Sequence, residues 1–586
     1  MGANVPNRSF KSKEEDACCG KWKTQFSCKS IKPSKCISMD GNRKLMAAGS
    51  YQRRGVRAFA KSMTDRISDL PDGVAHHILS FLAITDLTRF GCVSKRCKQL
   101  YLSTPSLDID VFSDAHMVSC FKQLLSSLDR FLWMHRGVNK IQRFRIYWDD
   151  FRHDDFLGLD FLEDATFRLM TWIHNAVSCN VEVLEVDIRM MIGRERRPLF
   201  PLSVFLCGSL KSLFLNMGRI LLKAPSLTSS SNLEYLELRC VCIKDEDFFK
   251  WISSSCKCIK DLHLEYLDGI NNVTIESSSL KSFSFVMVAD SADGACHINI
   301  SGEKLEEICI SWEHTPTGCR LLNIRAPNLK YLKWFGCLMM RQNLGELMCL
   351  EKAELSLMPE VDDLNFLSEV LCSISRVKVL TLNHETTMAL FNGGLTAKLL
   401  GYVFHLCISI GSFGDILVPG MVSVFGGLHN LNTLEIKTDH WSCDPECCSG
   451  FDMGYWGLQN LSFIHQLKEV TIELCDGSNG IQFAKYILEH AQNLKKVKIV
   501  HSPWQCNDIA EVKKSKMASN IATVVSEEYR TPRFYFAKYI LEHAQNLKKV
   551  KIFHSPWPRN DIAEVKKSKM ASNIATVVFE EYRIPR

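Results

Sequence analysis

No stretch of this 586-residue chain approaches the roughly 18 consecutive apolar residues needed to cross a bilayer. The N-terminal region is studded with lysine and lacks the apolar core of a secretory signal. Met1-Gly2 opens like a myristoylation site, but Pro6 stands where that motif needs Ser or Thr. These absences lead to the expectation of a soluble intracellular protein, in the nucleus, the cytoplasm or both, with no membrane partner. Catalytic signatures are missing as well. There is no G-x-x-x-x-G-K-[ST] phosphate loop, no G-x-G-x-x-G after a strand, no H-E-x-x-H and no G-x-S-x-G. That argues against a hidden hydrolase or kinase, so neither an enzyme nor a cofactor is expected. The best metal candidate joins His440, Cys443, Cys447 and Cys448, and its C-x-x-x-C-C spacing is not the paired C-x-x-C of common zinc sites. No metal is expected there.

What is present is apolar material and charge of uneven sign. With 46% hydrophobic and 23% charged residues, most of the chain can bury a core. Its 25 cysteines are diluted over a long chain without a secretory signal and read mainly as reduced thiols. The net charge of +6 hides a division: residues 1–64 carry +10, segments 483–533 and 536–586 together carry +9, and the remainder is acidic. A nucleic-acid binder would show a basic stripe on its body, and no nucleic-acid partner is expected.

Residues 1–64 are polar, basic and without period, and read as a disordered arm. Met46, ahead of Ala47-Ala48-Gly49, is a second candidate translation start. Periodicity begins within 65–112. Asp69 is placed to cap a helix whose first turn tolerates Pro71, and Val74, Ile78, Leu79 and Leu82 recur at helical spacing as one apolar face. Thr85 or Asp86 would cap a second helix carrying Leu87, Phe90 and Val93. Ser94 opens a third with Cys97 and Leu100, and Pro105 ends the unit. Three helices in about 40 residues sit near the lower limit of independent stability, so such a unit gains by docking on a partner.

The ordered series Leu70-Pro71-Asp72, Ile78-Leu79-Ser80-Phe81-Leu82, Asp86-Leu87 and Val93-Ser94-Lys95-Arg96 closely resembles the F-box. That resemblance implies binding to a Skp-type adaptor, which bridges to a cullin. By position it assigns Leu70, Pro71, Ile78, Leu79, Leu82, Leu87, Val93, Cys97 and Leu100 to the adaptor interface. The family usually carries Trp after Ser-Lys-Arg, where this chain has Cys97. The lost area is expected to weaken adaptor binding by ~1–3 kcal/mol, and Cys97→Trp to restore it.

From 141 to 499 the pattern L-x-x-L-x-L recurs, as in Val181/Leu184/Val186, Leu210/Leu213/Leu215, Leu233/Leu236/Leu238 and Ile259/Leu262/Leu264, through Leu329/Leu332/Trp334 and Leu431/Leu434/Ile436 to Leu467/Val470/Ile472 and Leu494/Val497/Ile499. Between 210 and 377 the intervals run from 21 to 27 residues, inside the leucine-rich-repeat range of about 20–29. The 54-residue gap before Leu431 predicts one degenerate repeat near Tyr402–Ile410. Alternating apolar residues make short strands with one buried face, and their stacking predicts a curved solenoid with a parallel sheet. Between strands, stretches such as Asp245–Ser255 read as convex-side helices. Cys337 and Cys475 fall where the repeat often uses Asn or Cys, as core residues. The solenoid's concave face suits another macromolecule. Lys211, Ser212, Phe214, Glu234, Tyr235, Glu237, Lys330, Tyr331 and Lys333 are its candidate exposed positions.

The tail is duplicated: 483–533 and 536–586 differ at five positions only, Val500/Phe553, Gln505/Pro558, Cys506/Arg559, Ser526/Phe579 and Thr531/Ile584. Leu467-Lys468-Glu469-Val470, Phe483 through Glu489 and Leu494-Lys495-Lys496-Val497 resemble the FBD tail of plant F-box proteins. The second copy is expected to lack a leading strand, with the polar stretch Asn507–Ser519 breaking the repeat, so that deleting Phe534–Arg586 leaves stability nearly unchanged.

The expected organisation is α/β: a basic arm (1–64), a three-helix F-box (65–112), leucine-rich repeats (141–466), an FBD-like tail (467–533) and its partial duplicate (536–586). The function implied is that of a substrate-recognition subunit of an SCF-type ubiquitin ligase, with an unknown protein target on the repeats. The alternative is a leucine-rich-repeat scaffold with a degenerate F-box and no ligase role.

Overall fold

The computed structural model describes residues 69–528, apart from 113–124, 134–139, 150–158, 189–197, 288–296, 313–320, 393–399, 439–444, 502–505 and a few shorter points, together with 549–554 and 576–581. Three helices open it: α1 (Asp72–Leu79), α2 (Ile84–Gly91) and α3 (Lys95–Leu102). The cap at α1 differs from expectation. Pro71 rather than Asp69 is the N-cap residue, and no side chain caps it. Thr85 and Asp86 likewise lie inside the first turn of α2. Ser94 does cap α3, its Oγ accepting from the Cys97 amide at 3.0 Å.

Three residues after α3 the first strand begins, and Ser106–Phe112 is not part of the helical unit. It starts a sixteen-stranded, wholly parallel sheet. The strands that follow in spatial order are Arg143–Asp149, Val183–Ile188, Ser212–Met217, Tyr235–Arg239, Asp261–Glu265, Ser282–Met287 and Glu307–Trp312. Then come Tyr331–Gly336, Lys352–Leu357, Val379–Leu382, His405–Ile410, Thr433–Thr438, Glu469–Glu473, Lys496–His501 and Thr523–Glu528. The degenerate repeat is present as His405–Ile410, with Leu406 and Ile408 buried.

The register explains the pattern. Leu184, Leu213, Leu236, Leu262, Phe283, Ile308 and Leu332 stand beside one another strand after strand. All of them are buried, as is the row two residues on, Val186 through Trp334. Each such side chain contributes about 1.5–3 kcal/mol by leaving water. Asparagines ahead of the first leucine add a link between repeats: Asn232 Nδ2 donates to the Gly208 carbonyl (2.7 Å), Asn328 to Glu303 (2.7 Å) and Asn430 to Gly401 (2.8 Å).

The chain returns from one strand to the next in two ways. Helices do so at Asp247–Ser255, with Phe248, Phe249, Trp251 and Ile252 buried, and again from Leu364–Ser373 onward. Between 272 and 343 the expected helices are absent among the described residues. Their place is taken by Asn272–Glu276, His297–Ser301, Leu321–Arg325 and Arg341–Asn343, a second parallel sheet of four strands. Two-residue alternation of Val273/Ile275, Ile298/Ile300 and Leu322/Ile324 buries one face, which a helix cannot do.

At the C-terminal end the expected break is corrected. Asn507–Ser519 largely falls on a helix, Cys506–Lys514, with Ile509 and Val512 buried, and the next strand pairs in parallel with Lys496–His501. In the second copy Lys549–His554 pairs with Thr576–Glu581 as a two-stranded sheet. Cys337 is buried as expected, and Cys475 lies outside the described residues.

Leu332→Ala removes a fully buried side chain from the shared row and should cost ~2–5 kcal/mol in chemical denaturation, whereas its neighbour Lys333→Ala should stay within about 0.5 kcal/mol. Equal effects would remove the alternation.

Candidate functional site

The helical unit divides its apolar residues between two faces, where one was expected. Ala75, Leu79, Ile84, Leu87 and Leu100 are buried in a core that continues into the sheet, and Cys97 is buried as well. Val74 and Ile78, each 48% exposed, share a second stripe of α1, continued after the helix by Phe81 at 76%. His77 packs edge-on against the Phe81 ring, 5.1 Å between centroids. Val93, 74% exposed, precedes the cap of α3. Arg96 ties the starts of α3 and α1 together, donating to the Leu70 carbonyl (3.4 Å) and pairing with Asp72. That hydrogen bond holds the Asp72 carboxyl below the usual carboxylate range.

Of the nine residues assigned to the interface, Pro71, Ile78 and Val93 are exposed and Leu70 and Leu82 half-buried. Leu79, Leu87, Cys97 and Leu100 lie beneath that surface, buried in the helical unit. Val74 and Phe81 are exposed apolar positions that the assignment lacked. Phe81 was within the motif, and its place one turn beyond Ile78 is the signal that marks it. Cys97 is 2% exposed, so an indole there would not add contact area.

The second candidate is the face of the sheet opposite the buried rows. On it Phe214, Glu237, His263, Ser284, Cys309, Lys333 and Glu354 stand in register. Arg239 is held there on three sides. It pairs with Glu265 (2.6 Å) and Glu237 (2.5 Å), and its guanidinium lies 5.5 Å from the Phe214 ring centroid. Tyr235 donates to Glu237 and packs its ring 5.5 Å from that of His263. Burial and the Glu237 bond push the Tyr235 hydroxyl well above its ordinary range. Glu237 is therefore buried, which corrects its expected exposure. Farther along, the Lys352 ammonium sits 5.0 Å from the Tyr331 ring centroid and 2.6 Å from Glu354.

Lys211, Glu234 and Lys330 occupy the rim instead of the centre of this face. They are engaged with the neighbouring repeats, Lys211 with Glu182 (3.1 Å), Glu234 with Lys260 and Lys330 with Glu306 (2.9 Å). Exposed pairs of this kind contribute little, ~0–1 kcal/mol. The thiols facing this side, Cys309 and Cys407, are pushed up by burial and so held protonated, the opposite of an activated nucleophile.

Among the described residues no group of three or more His, Cys, Asp or Glu could hold a metal ion, and no helix is long and apolar enough to cross a membrane. Cys447 is exposed and Cys448 buried, while His440 and Cys443 lie outside the described residues.

A compact helical module with exposed apolar residues, joined to a long repeat body, has the architecture of an F-box module on leucine-rich repeats. Comparison with known families makes it particular. The F-box domain matches residues 67–100, the LRR repeats of FBD-associated F-box protein At5g56370 match 169–381, and FBD matches 462–499. The chain carries all three domains, and its homologues are F-box/FBD/LRR-repeat proteins of Arabidopsis thaliana. One is 25% identical over 461 residues, covering 74% of this chain and 91% of the relative. A second is 24% identical over 475 residues, covering 76% and 90%. A third is 30% identical over 244 residues, covering 40% of this chain and 48% of its own length. Among solved structures, the crystal structure of a TLR13–ssRNA13 complex aligns with 64% of this chain and 60% of its own at 15% identity, with a TM-score of 0.31, too distant to carry an argument. F-box domains generally bind Skp-type adaptors, and F-box/LRR proteins are generally non-catalytic.

Two substitutions test the geometry. Cys97→Trp should lower stability by ~1–3 kcal/mol through overpacking, read by denaturant unfolding; an unchanged midpoint would put position 97 at the surface. Asp110, on the first strand, has a buried Oδ1 without a hydrogen-bond partner, and burial followed by the Asp108 charge raises its pKa. A carboxyl raised in the folded state loses stability as pH climbs through its pKa. Asp110→Asn should therefore raise the melting temperature at pH 7, by less than ~1 kcal/mol of stability given solvent screening, with the gain vanishing near pH 4.

Proposed function

We propose that this protein is the substrate-recognition subunit of an SCF-type ubiquitin ligase, non-catalytic itself, acting in the nucleus or cytoplasm. The F-box docks a Skp-type adaptor and through it a cullin, and the open face of the sheet holds a protein target. Its contribution is proximity: a target held beside a transferring centre reacts as if concentrated there.

The observation that carries this reading is the exposed apolar stripe of Val74, Ile78 and Phe81, with Val93 exposed ahead of α3. The unit has already closed its core without them, so they are surplus to its own folding. Surplus apolar side chains standing together mark a protein contact. The open face supports the second half. Tyr235, Phe214, His263 and Tyr331, held in place by Glu237, Arg239 and Lys352, give rigid aromatic surface between charges, the composition that dominates contact energy at protein interfaces.

Ile78→Ala with Phe81→Ala should lower copurification of adaptor and cullin at least tenfold while leaving the thermal unfolding of the repeats unchanged. Undiminished copurification would overturn the docking face. Absence of adaptor from the unaltered protein would favour a leucine-rich-repeat scaffold without a ligase role.

A further inference from the structure

The two ends of the sixteen-stranded sheet are finished differently. On the first strand Leu107 and Ile109 are fully buried. On the last strand Val524 and Ser526 continue the two core rows beside Val497 and Ile499, yet both are only half-buried. Ile521 is 68% exposed, and the outer edge of Thr523–Glu528 has no strand partner among the described residues. An open edge and a half-covered apolar row are what a terminal repeat shows when its cap is not in place.

The occupant is supplied by the chain itself. Phe536, Tyr539, Ile540, Leu547, Val550 and Ile552 repeat the residues that the first copy buries at Phe483, Tyr486, Ile487, Leu494, Val497 and Ile499. Lys549 pairs opposite Thr576 as Lys496 pairs opposite Thr523. The strands also keep step. Their first residues, Glu469, Lys496, Thr523, Lys549 and Thr576, follow at intervals of 27, 27, 26 and 27. The duplication is in phase with the repeat, so Thr523–Glu528 stands where the second copy needs a leading strand. Residues 529–548 exceed the dozen or so that a parallel crossover requires.

We propose that Lys549–His554 adds to the outer edge of Thr523–Glu528 of the same chain, with Val550 beside Val524 and Ile552 beside Ser526, and that Thr576–Glu581 follows it. The duplicated segment then lengthens the sheet by two strands and covers its open end. Identity at Val550 and Ile552 gives the first added strand the same inward and outward alternation as its counterpart, and in the second Val577 repeats Val524 while Phe579 stands where the first copy has Ser526.

Hydrogen–deuterium exchange on three proteins tests this: the full chain, the chain ended at Arg533, and the full chain with Val550→Asp and Ile552→Asp. Amides of 523–528 should exchange at least tenfold more slowly in the full chain than in either variant. Exchange in the strands from 183 to 473 should be the same in all three, which separates uncapping from general unfolding. Equal exchange at 523–528 in the three proteins would overturn the proposal. So would protection confined to a dimeric fraction in size-exclusion chromatography with light scattering, because the added strands would then come from a second copy.

Discussion

The structure depends on one interaction repeated along the sheet: an apolar side chain in each strand lying against its counterparts in the strands on either side. Leu213 rests between Leu184 and Leu236, Leu236 between Leu213 and Leu262, and so onward through Leu332. A strand so placed is buried by its neighbours rather than by residues distant in sequence, and every interior strand needs two of them. Register cannot slip by one residue without turning the buried row to solvent. Close stacking also constrains the backbone where strands end. At Gly336, φ is +107°, and a Cβ there would overlap the Trp312 carbonyl oxygen. Only glycine accepts that turn.

From this constraint the legibility of the fold follows. Interior strands were readable because both neighbours demand apolar residues at all three positions of L-x-x-L-x-L. The terminal strands were not, because only one side makes the demand. The first reads Thr104/Leu107/Ile109 and the last Ile521/Val524/Ser526, each with one polar residue in place. The second sheet was hidden for another reason. Its pairs, such as Val273/Ile275 and Ile298/Ile300, are too short to be distinguished from a helical stripe until their neighbours are seen. The helix at Asp247–Ser255 was clear because four large apolar residues recur there at helical spacing.

The candidate site on the helical unit was legible in part, for a related reason. Helical period tells which residues share a stripe but not which stripe faces inward when two are apolar. Ala75 and Leu79 form one stripe of α1, Val74 and Ile78 the other, and composition does not rank them. Resemblance to the F-box placed the motif and joined both stripes into one surface. Packing against α2 and α3 separates them, leaving Cys97 and Leu87 inside and Phe81 and Val93 outside. On the sheet the same limit applied to Glu237, which alternation placed on the open face but only Tyr235 and Arg239 could bury.

The two surfaces belong to one body. α3 ends at Leu102 and the first strand begins at Ser106, so only three residues lie between. None of that connection is slack. Thr104 is buried and donates its hydroxyl to the Leu100 carbonyl at 3.1 Å, while the Pro105 carbonyl accepts from the amides of Gln142 (2.7 Å) and Arg143 (3.1 Å) at the start of the next strand. A flexible linker would let a held target sample many orientations and dilute it near the transferring centre. Here the helical unit is continuous with the sheet's hydrogen bonding, so the direction from its exposed apolar residues to Arg239 and Tyr331 is set by the fold. In the proposed role, the place along the sheet where a target is held then decides which part of it is presented.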